Sequence, residues 1–96
     1  MKKIYSKNDR TDKTLEPAIT VLDEGKFLRI IAELPGILEE KIRIDLEKTS
    51  VTIVASDTGK TYKKVITVPC DIRFSKKRFS EGILELILEK TDWDSA

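Results

Sequence analysis

Apolar and polar residues alternate along most of this chain. In Ile42-Arg43-Ile44-Asp45-Leu46-Glu47, three aliphatic side chains fall on one face of an extended segment and three charged ones on the other. That is the period-two signature of a half-buried strand. Residues 18–22 and 27–32 are rich in β-branched and aromatic types, and Asp23-Glu24-Gly25-Lys26 between them has turn composition, so the two predict a hairpin. Residues 50–55 and 61–68 follow, with Tyr62, Ile66 and Val68 in one phase and Val65 in the other. After Pro69, residues 70–75 read as a connection anchored by Ile72 and Phe74, and residues 76–80 as a short, strongly basic strand. Glu81-Gly82 is a tight turn into residues 83–88, where Leu84, Leu86 and Leu88 share a face. This last strand is the most apolar and is expected at the centre of a sheet. Seven strands with no helix longer than a turn predict an all-β, immunoglobulin-like two-sheet sandwich. A small closed barrel is the alternative architecture.

The chain is organised around Ala32-Glu33-Leu34-Pro35-Gly36-Ile37-Leu38-Glu39-Glu40-Lys41-Ile42. Pro35 offers no N–H to a ladder and holds Leu34 extended, and Gly36 accepts positive φ, so the incoming strand stops there. Residues 37–41 are too short for a stable helix and too acidic for a buried strand. They are expected to form a one-turn bridge carrying the chain from one sheet to the other, since a hairpin would keep both strands in one sheet.

Length and composition narrow the function. Ninety-six residues make one domain, expected to span residues 16–90 between a flexible polar arm (1–15) and a short acidic tail (91–96). A formal charge of +1 gives no bulk electrostatic case for nucleic acid or an anionic membrane, and no apolar run approaches the ~20 residues of a membrane span. The arm carries Lys2, Lys3, Lys7, Arg10 and Lys13 but lacks aromatic interleaving beyond Tyr5. A solvated tail is preferred for it over an RNA-binding arm. One cysteine excludes an internal disulfide, and no apolar leader precedes the domain, so the cytoplasm is the expected location.

The residue types needed for catalysis are sparse. There is no histidine, which removes the commonest general base and metal ligand. Cys70 follows a proline with no partner to activate it and reads as a small apolar residue. Glu39-Glu40 implies no pocket, no calcium-loop spacing exists, and Gly59 and Gly82 are single turn glycines rather than a phosphate loop. No enzyme, cofactor or metal is expected.

Three motifs, in order, carry a family resemblance. Ala32-Glu33-Leu34-Pro35-Gly36-Ile37 resembles the A-x-x-P-G-[VI] signature of the small heat-shock protein (alpha-crystallin) domain. Phe79-Ser80-Glu81-Gly82-Ile83-Leu84 through Lys90 resembles its second signature, a tight turn with G-[VI]-L and a closing lysine, and Val68-Pro69 resembles its L-P strand end. The resemblance runs from about Glu16 to Lys90. It implies an ATP-independent holdase that binds unfolding clients, with a groove between edge strands 42–47 and 76–80 that accepts an Ile-x-Ile segment from another subunit. Ile42, Ile44, Phe79 and Ile83 are the candidate groove contacts for a client or partner segment. Each of them is otherwise a core residue. Tyr62, Lys64 and Ile66 mark a possible dimer edge.

The chain departs from the family pattern in three places. Residues 56–60 are too short to hold an exchanged strand, no Ile-x-Ile follows Lys90, and the arm is short and polar. A monomer or weak homodimer is therefore expected rather than a large oligomer. The departures also bring the chain close to CS-type co-chaperone domains and to gas-vesicle accessory proteins, and hence to an adaptor that docks on a dedicated chaperone partner. Arg73, Lys76, Lys77 and Arg78 form the densest charge cluster and, like Lys63 and Lys64, are read as edge protection; an acidic partner or nucleic acid is the functional alternative for the cluster. Trp93 is expected to fold back over apolar surface near the groove.

Overall fold

The computed structural model describes residues 13–91. They form eight strands: β1 (Lys13–Leu15), β2 (Ala18–Glu24), β3 (Phe27–Glu33), β4 (Ile42–Leu46), β5 (Ser50–Asp57), β6 (Lys60–Thr67), β7 (Ile72–Ser80) and β8 (Ile83–Lys90), with a single 3₁₀ turn at Glu39–Lys41. Two four-stranded sheets are ordered β1-β6-β5-β4 and β2-β3-β8-β7. The fold is the expected sandwich rather than a closed barrel. The expectations for Lys2 to Arg10 and for Trp93 lie outside the described residues.

Alternation sets what each strand buries. Leu28, Ile30 and Ala32 of β3 pair in register with Leu88, Leu86 and Leu84 of β8, and all six are buried. Facing them, Val51, Ile53 and Ala55 of β5 are fully buried, joined by Ile66 and Val68. Central strands thus supply most of the core, and β8 lies between β3 and β7, as its leucines predict.

The Pro-Gly bridge crosses between the sheets. Ile37 N–H donates to the Leu34 carbonyl at 3.2 Å, and Gly36 has φ of 79°. This is a type II turn, with proline and glycine at the positions that demand them. Leu34 and Ile37 on either side are buried, so the turn is pinned by its own flanks. Leu34 N–H also donates to the Gly82 carbonyl at 2.7 Å, which ties the crossover to the β7–β8 turn. A second crossover, β6 to β7, is held by Val68 N–H to the Thr49 carbonyl (2.9 Å) and Ile72 N–H to the Lys48 carbonyl (3.0 Å).

Two features differ from the sequence expectation. Residues 13–15 belong to the sheet rather than to a flexible arm: β1 runs parallel to β6 in the register Lys13–Lys60, Thr14–Thr61, Leu15–Tyr62. Backbone pairing, not apolar burial, holds this strand, and the chain then crosses to β2 through the buried Pro17. Further along, the expected connection at 70–75 is largely strand. β7 begins at Ile72 and runs through a bulge between Phe74 and Lys76. The bulge absorbs one residue, so Phe74 and Lys77, three apart, both take the inward-facing phase, opposite Leu88 and Leu86.

Candidate binding groove between β4 and β7

β4 closes one sheet and β7 closes the other; these are the two edges expected from the sequence. A surface cavity of about 340 Å³ lies between them, lined by Ile42, Arg43, Ile44, Leu46, Phe74 and Lys77. On β4 the apolar lining is the inward phase: Ile42, Ile44 and Leu46 pair with Ala55, Ile53 and Val51. Because β4 has no strand beyond it among the described residues, these three side chains are partly exposed and pack against the rim of the core. From β7, Phe74 is 51% exposed, an aromatic ring held inward by register and left open by the absence of a neighbouring strand among the described residues.

The sequence-derived site residues divide. Ile42 and Ile44 line the groove. Phe79 shares the inward phase of β7, opposite Leu84, but packs against the core and does not line this cavity. Ile83 belongs on the opposite surface. It alternates with Leu84, pairs with Ser80 and Glu33, is 42% exposed, and lines a separate outer-face depression with Ile31, Arg78, Ser80 and Glu85. Leu46, Phe74 and Lys77 were not among the candidates. Leu46 shares the phase of Ile42 and Ile44 and was open to inference from alternation alone. Phe74 and Lys77 depend on the bulge, which no motif announces.

The candidate dimer edge differs from expectation as well. Tyr62, Lys64 and Ile66 face inward, opposite Ala55, Ile53 and Val51, and Ile66 is core at 8% exposure. The backbone edge of β6, expected to be open, is covered by β1 over its first three residues. Lys64 Nζ lies 3.3 Å from the Glu16 carboxylate, next to that strand.

Two of the four cations of the basic cluster on β7 are neutralised. Arg73 reaches Glu89 at 2.8 Å and Arg78 reaches Glu85 at 3.2 Å. Arg29 of β3 bonds Glu85 from the other side and Glu24 at 3.0 Å, so one ladder, Glu24–Arg29–Glu85–Arg78, crosses all four strands of the outer face. Hydrogen bonding from Arg29 holds the Glu85 carboxyl below the usual range, and the positive charges of Arg29 and Arg78 act in the same direction. Glu89 is lowered likewise, by hydrogen bonds from Arg73 and then Lys26. Lys76 and Lys77 form no ion pair among the described residues. Two free lysines on an edge strand carrying a bulge fit the edge-protection reading. Among the described residues no group of three or more His, Cys, Asp and Glu side chains is placed to hold a metal ion, and no helix is long and apolar enough to cross a membrane.

No family model and no curated protein matches the sequence. Solved structures do match in fold. Heat shock protein 16.0 from Schizosaccharomyces pombe superposes with a TM-score of 0.72 at 23% identity, covering 82% of this chain and 69% of that one. A Del-C4 mutant of hsp14.1 from Sulfolobus solfatataricus P2 gives 0.67 at 22% identity, over 79% and 76% of the two chains. HSP18.5 from E. histolytica gives 0.66 at 24% identity, over 78% and 88%. The chain has the alpha-crystallin sandwich of the small heat shock proteins.

Proposed function

We propose that this protein is an ATP-independent holdase that binds unfolding proteins, with the groove between β4 and β7 receiving an extended apolar segment. The observation that carries the reading is the juxtaposition, across an apolar floor, of two backbone edges left without a partner strand among the described residues. Such a site offers main-chain hydrogen bonds to any extended peptide and pockets for alternate side chains, which is the chemistry of strand addition. A client exposes such segments only while unfolded, so the groove selects unfolded chains over folded ones. The protein acts in the cytoplasm, as a monomer or weak homodimer, since β1 covers the first three residues of the edge through which β6 would pair with a copy of itself.

The test is light scattering from a heat-denaturing client at equimolar ratio. Suppression of scattering by the wild type, lost in Phe74→Thr, supports the holdase. A second reading has its own observation: of the large apolar side chains left exposed among the described residues, only Phe74 lies at the groove. So small a site suits an adaptor that docks on one dedicated chaperone partner. Unimpaired client aggregation, together with retained binding of an apolar peptide, would favour that second reading.

A further inference from the structure

Lys77 occupies an unusual place in the groove. Its register partner on β8 is Leu86, which is fully buried, and its neighbours in the same phase are Phe74 and Phe79. By alternation the position belongs to an apolar residue. The side chain instead places an ammonium group at the wall of a cavity otherwise floored by Ile42, Ile44, Leu46 and Phe74. The neighbouring arginines of β7 point to the outer face and are matched there by Glu85 and Glu89. The other cation of the groove, Arg43, lies 3.6 Å from Asp45 on its own strand. Lys77 has no carboxylate within ion-pairing distance among the described residues, because every inward position of β8 beside it is leucine. An apolar groove whose wall carries one uncompensated positive charge is complementary to an apolar segment that brings its own negative charge.

We infer that Lys77 is a specificity-determining residue: the groove prefers extended segments with an acidic side chain in phase with the apolar ones. This inference rests on the groove reading and adds the chemistry of the occupant. The occupant is an extended segment of another protein, with aliphatic side chains at alternate positions and Asp or Glu at the next position on the same side. Its aliphatic side chains cover the partly exposed floor, and its carboxylate meets the Lys77 ammonium at the rim. The flexible lysine stem can lie along the aromatic ring of Phe74 while the charge stays partly solvated. The charge pair therefore tunes choice among segments more than it sets overall affinity.

The experiment is fluorescence anisotropy of the full chain with three labelled, end-blocked peptides. Each has two isoleucines separated by serine and carries Asp, Asn or Lys at both flanking in-phase positions, so that either strand direction presents the group. Expected is an affinity order Asp over Asn over Lys, with the Asp peptide about three- to fivefold tighter than the Asn peptide at low salt. That margin closes toward unity in about 1 M salt. Lys77→Met keeps the apolar stem and should abolish the margin. Lys77→Glu should reverse it, so that the Lys peptide binds best, and this gain cannot come from misfolding. Equal binding of the Asp and Asn peptides to the wild type overturns the role of Lys77 while leaving the groove reading intact. A preference that survives in Lys77→Met overturns it too, by placing the charge readout elsewhere. No binding of any peptide would remove the groove reading and this inference together.

Discussion

Phe74 offers a quantitative test of whether the groove is a binding surface or a poorly filled part of the core. The ring is 51% exposed, so folding captures about half of what its full burial is worth. Full burial of a phenylalanine contributes up to about 3 kcal/mol, which makes the folding share about 1–1.5 kcal/mol. Replacement by threonine, which is β-branched and also favours strands, removes the ring, so Phe74→Thr should lower unfolding free energy by about 1–1.5 kcal/mol. Leu86 on the adjoining strand is fully buried, and Leu86→Ala should cost about 2–5 kcal/mol. The exposed half of the ring remains available to a ligand. A segment that covers it gains another ~1–1.5 kcal/mol, or about five- to twelvefold in affinity. The two halves are measured separately, stability by urea denaturation followed by far-UV circular dichroism, and binding by anisotropy of an apolar peptide. Phe74→Thr should lose about as much in binding as in stability. A Phe74→Thr protein destabilised as severely as Leu86→Ala, or one that binds peptide as the wild type does, would refute the assignment of this ring to the groove.

Three further outcomes follow from the turns and the outer face. Gly82 has φ of 81°, and a Cβ there would lie 3.3 Å from the Pro35 Cα. Gly82→Ala should therefore cost the ~1–2 kcal/mol of a left-handed alanine plus the strain against a rigid proline backbone, lowering Tm by at least about 5 °C; a melt within a degree of wild type would contradict this. Glu81 also takes positive φ, at 52°, so Glu81→Asn should raise stability by up to about 1 kcal/mol in the same melts, asparagine-glycine being the pair this turn favours. Glu85 and Glu89 are held below the ordinary carboxylate range by Arg29 and Arg73. With folded values lower than unfolded ones, their stabilisation is present above about pH 4.5 and is lost as pH falls through the folded values. Urea midpoints of the wild type should drop on acidification below that point, and more steeply than those of Glu85→Gln; parallel acid limbs would remove Glu85 from the account.

The parts of the fold that were legible are those where one residue type admits one geometry. Pro35-Gly36 allowed only a stop and a turn, and the structure has a type II turn there that leads across to the other sheet. Leu84, Leu86 and Leu88 could share a face only in a strand covered on that face, which placed β8 in the interior of its sheet. The same alternation applied strictly puts Ile83 on the outer face; its nearness in sequence to the Glu81-Gly82 turn was a poorer guide than its phase. β1 was hidden because Lys13-Thr14-Leu15 gains its place from backbone pairing with Lys60, Thr61 and Tyr62, and a three-residue pairing leaves no periodic trace. The bulge in β7 was hidden for a related reason. Between Phe74 and Lys77 the chain changes phase without glycine or proline to mark it, so a strict period-two reading splits Phe74 from Lys77 and breaks the groove wall in two.

Three of the four edges of the two sheets are managed differently, and the difference bears on function. A free strand edge pairs with whatever extended chain meets it, including another copy of the same protein. On the β6 side, β1 takes up part of that capacity and the Lys64–Glu16 pair sits beside it. On the β7 side, a bulge and the unpaired Lys76 and Lys77 interrupt flat edge-to-edge pairing without covering the edge. Among the described residues β4 is neither covered nor bulged, yet its edge opens onto the same apolar floor as β7. If stability and solubility alone had shaped the surface, the half-exposed Phe74 beside the Ile42-Ile44-Leu46 row would be a liability, and polar substitution of Phe74 would remove it at a cost of about 1–1.5 kcal/mol. The lysines instead repel a second copy of the same basic edge while leaving the apolar floor open. They therefore discriminate between self-pairing, which brings like charges together, and an incoming acidic or neutral strand, which does not. Under the proposed function, a surface arranged in this way is expected to stay unpaired in isolation and to take up a segment exposed by another protein.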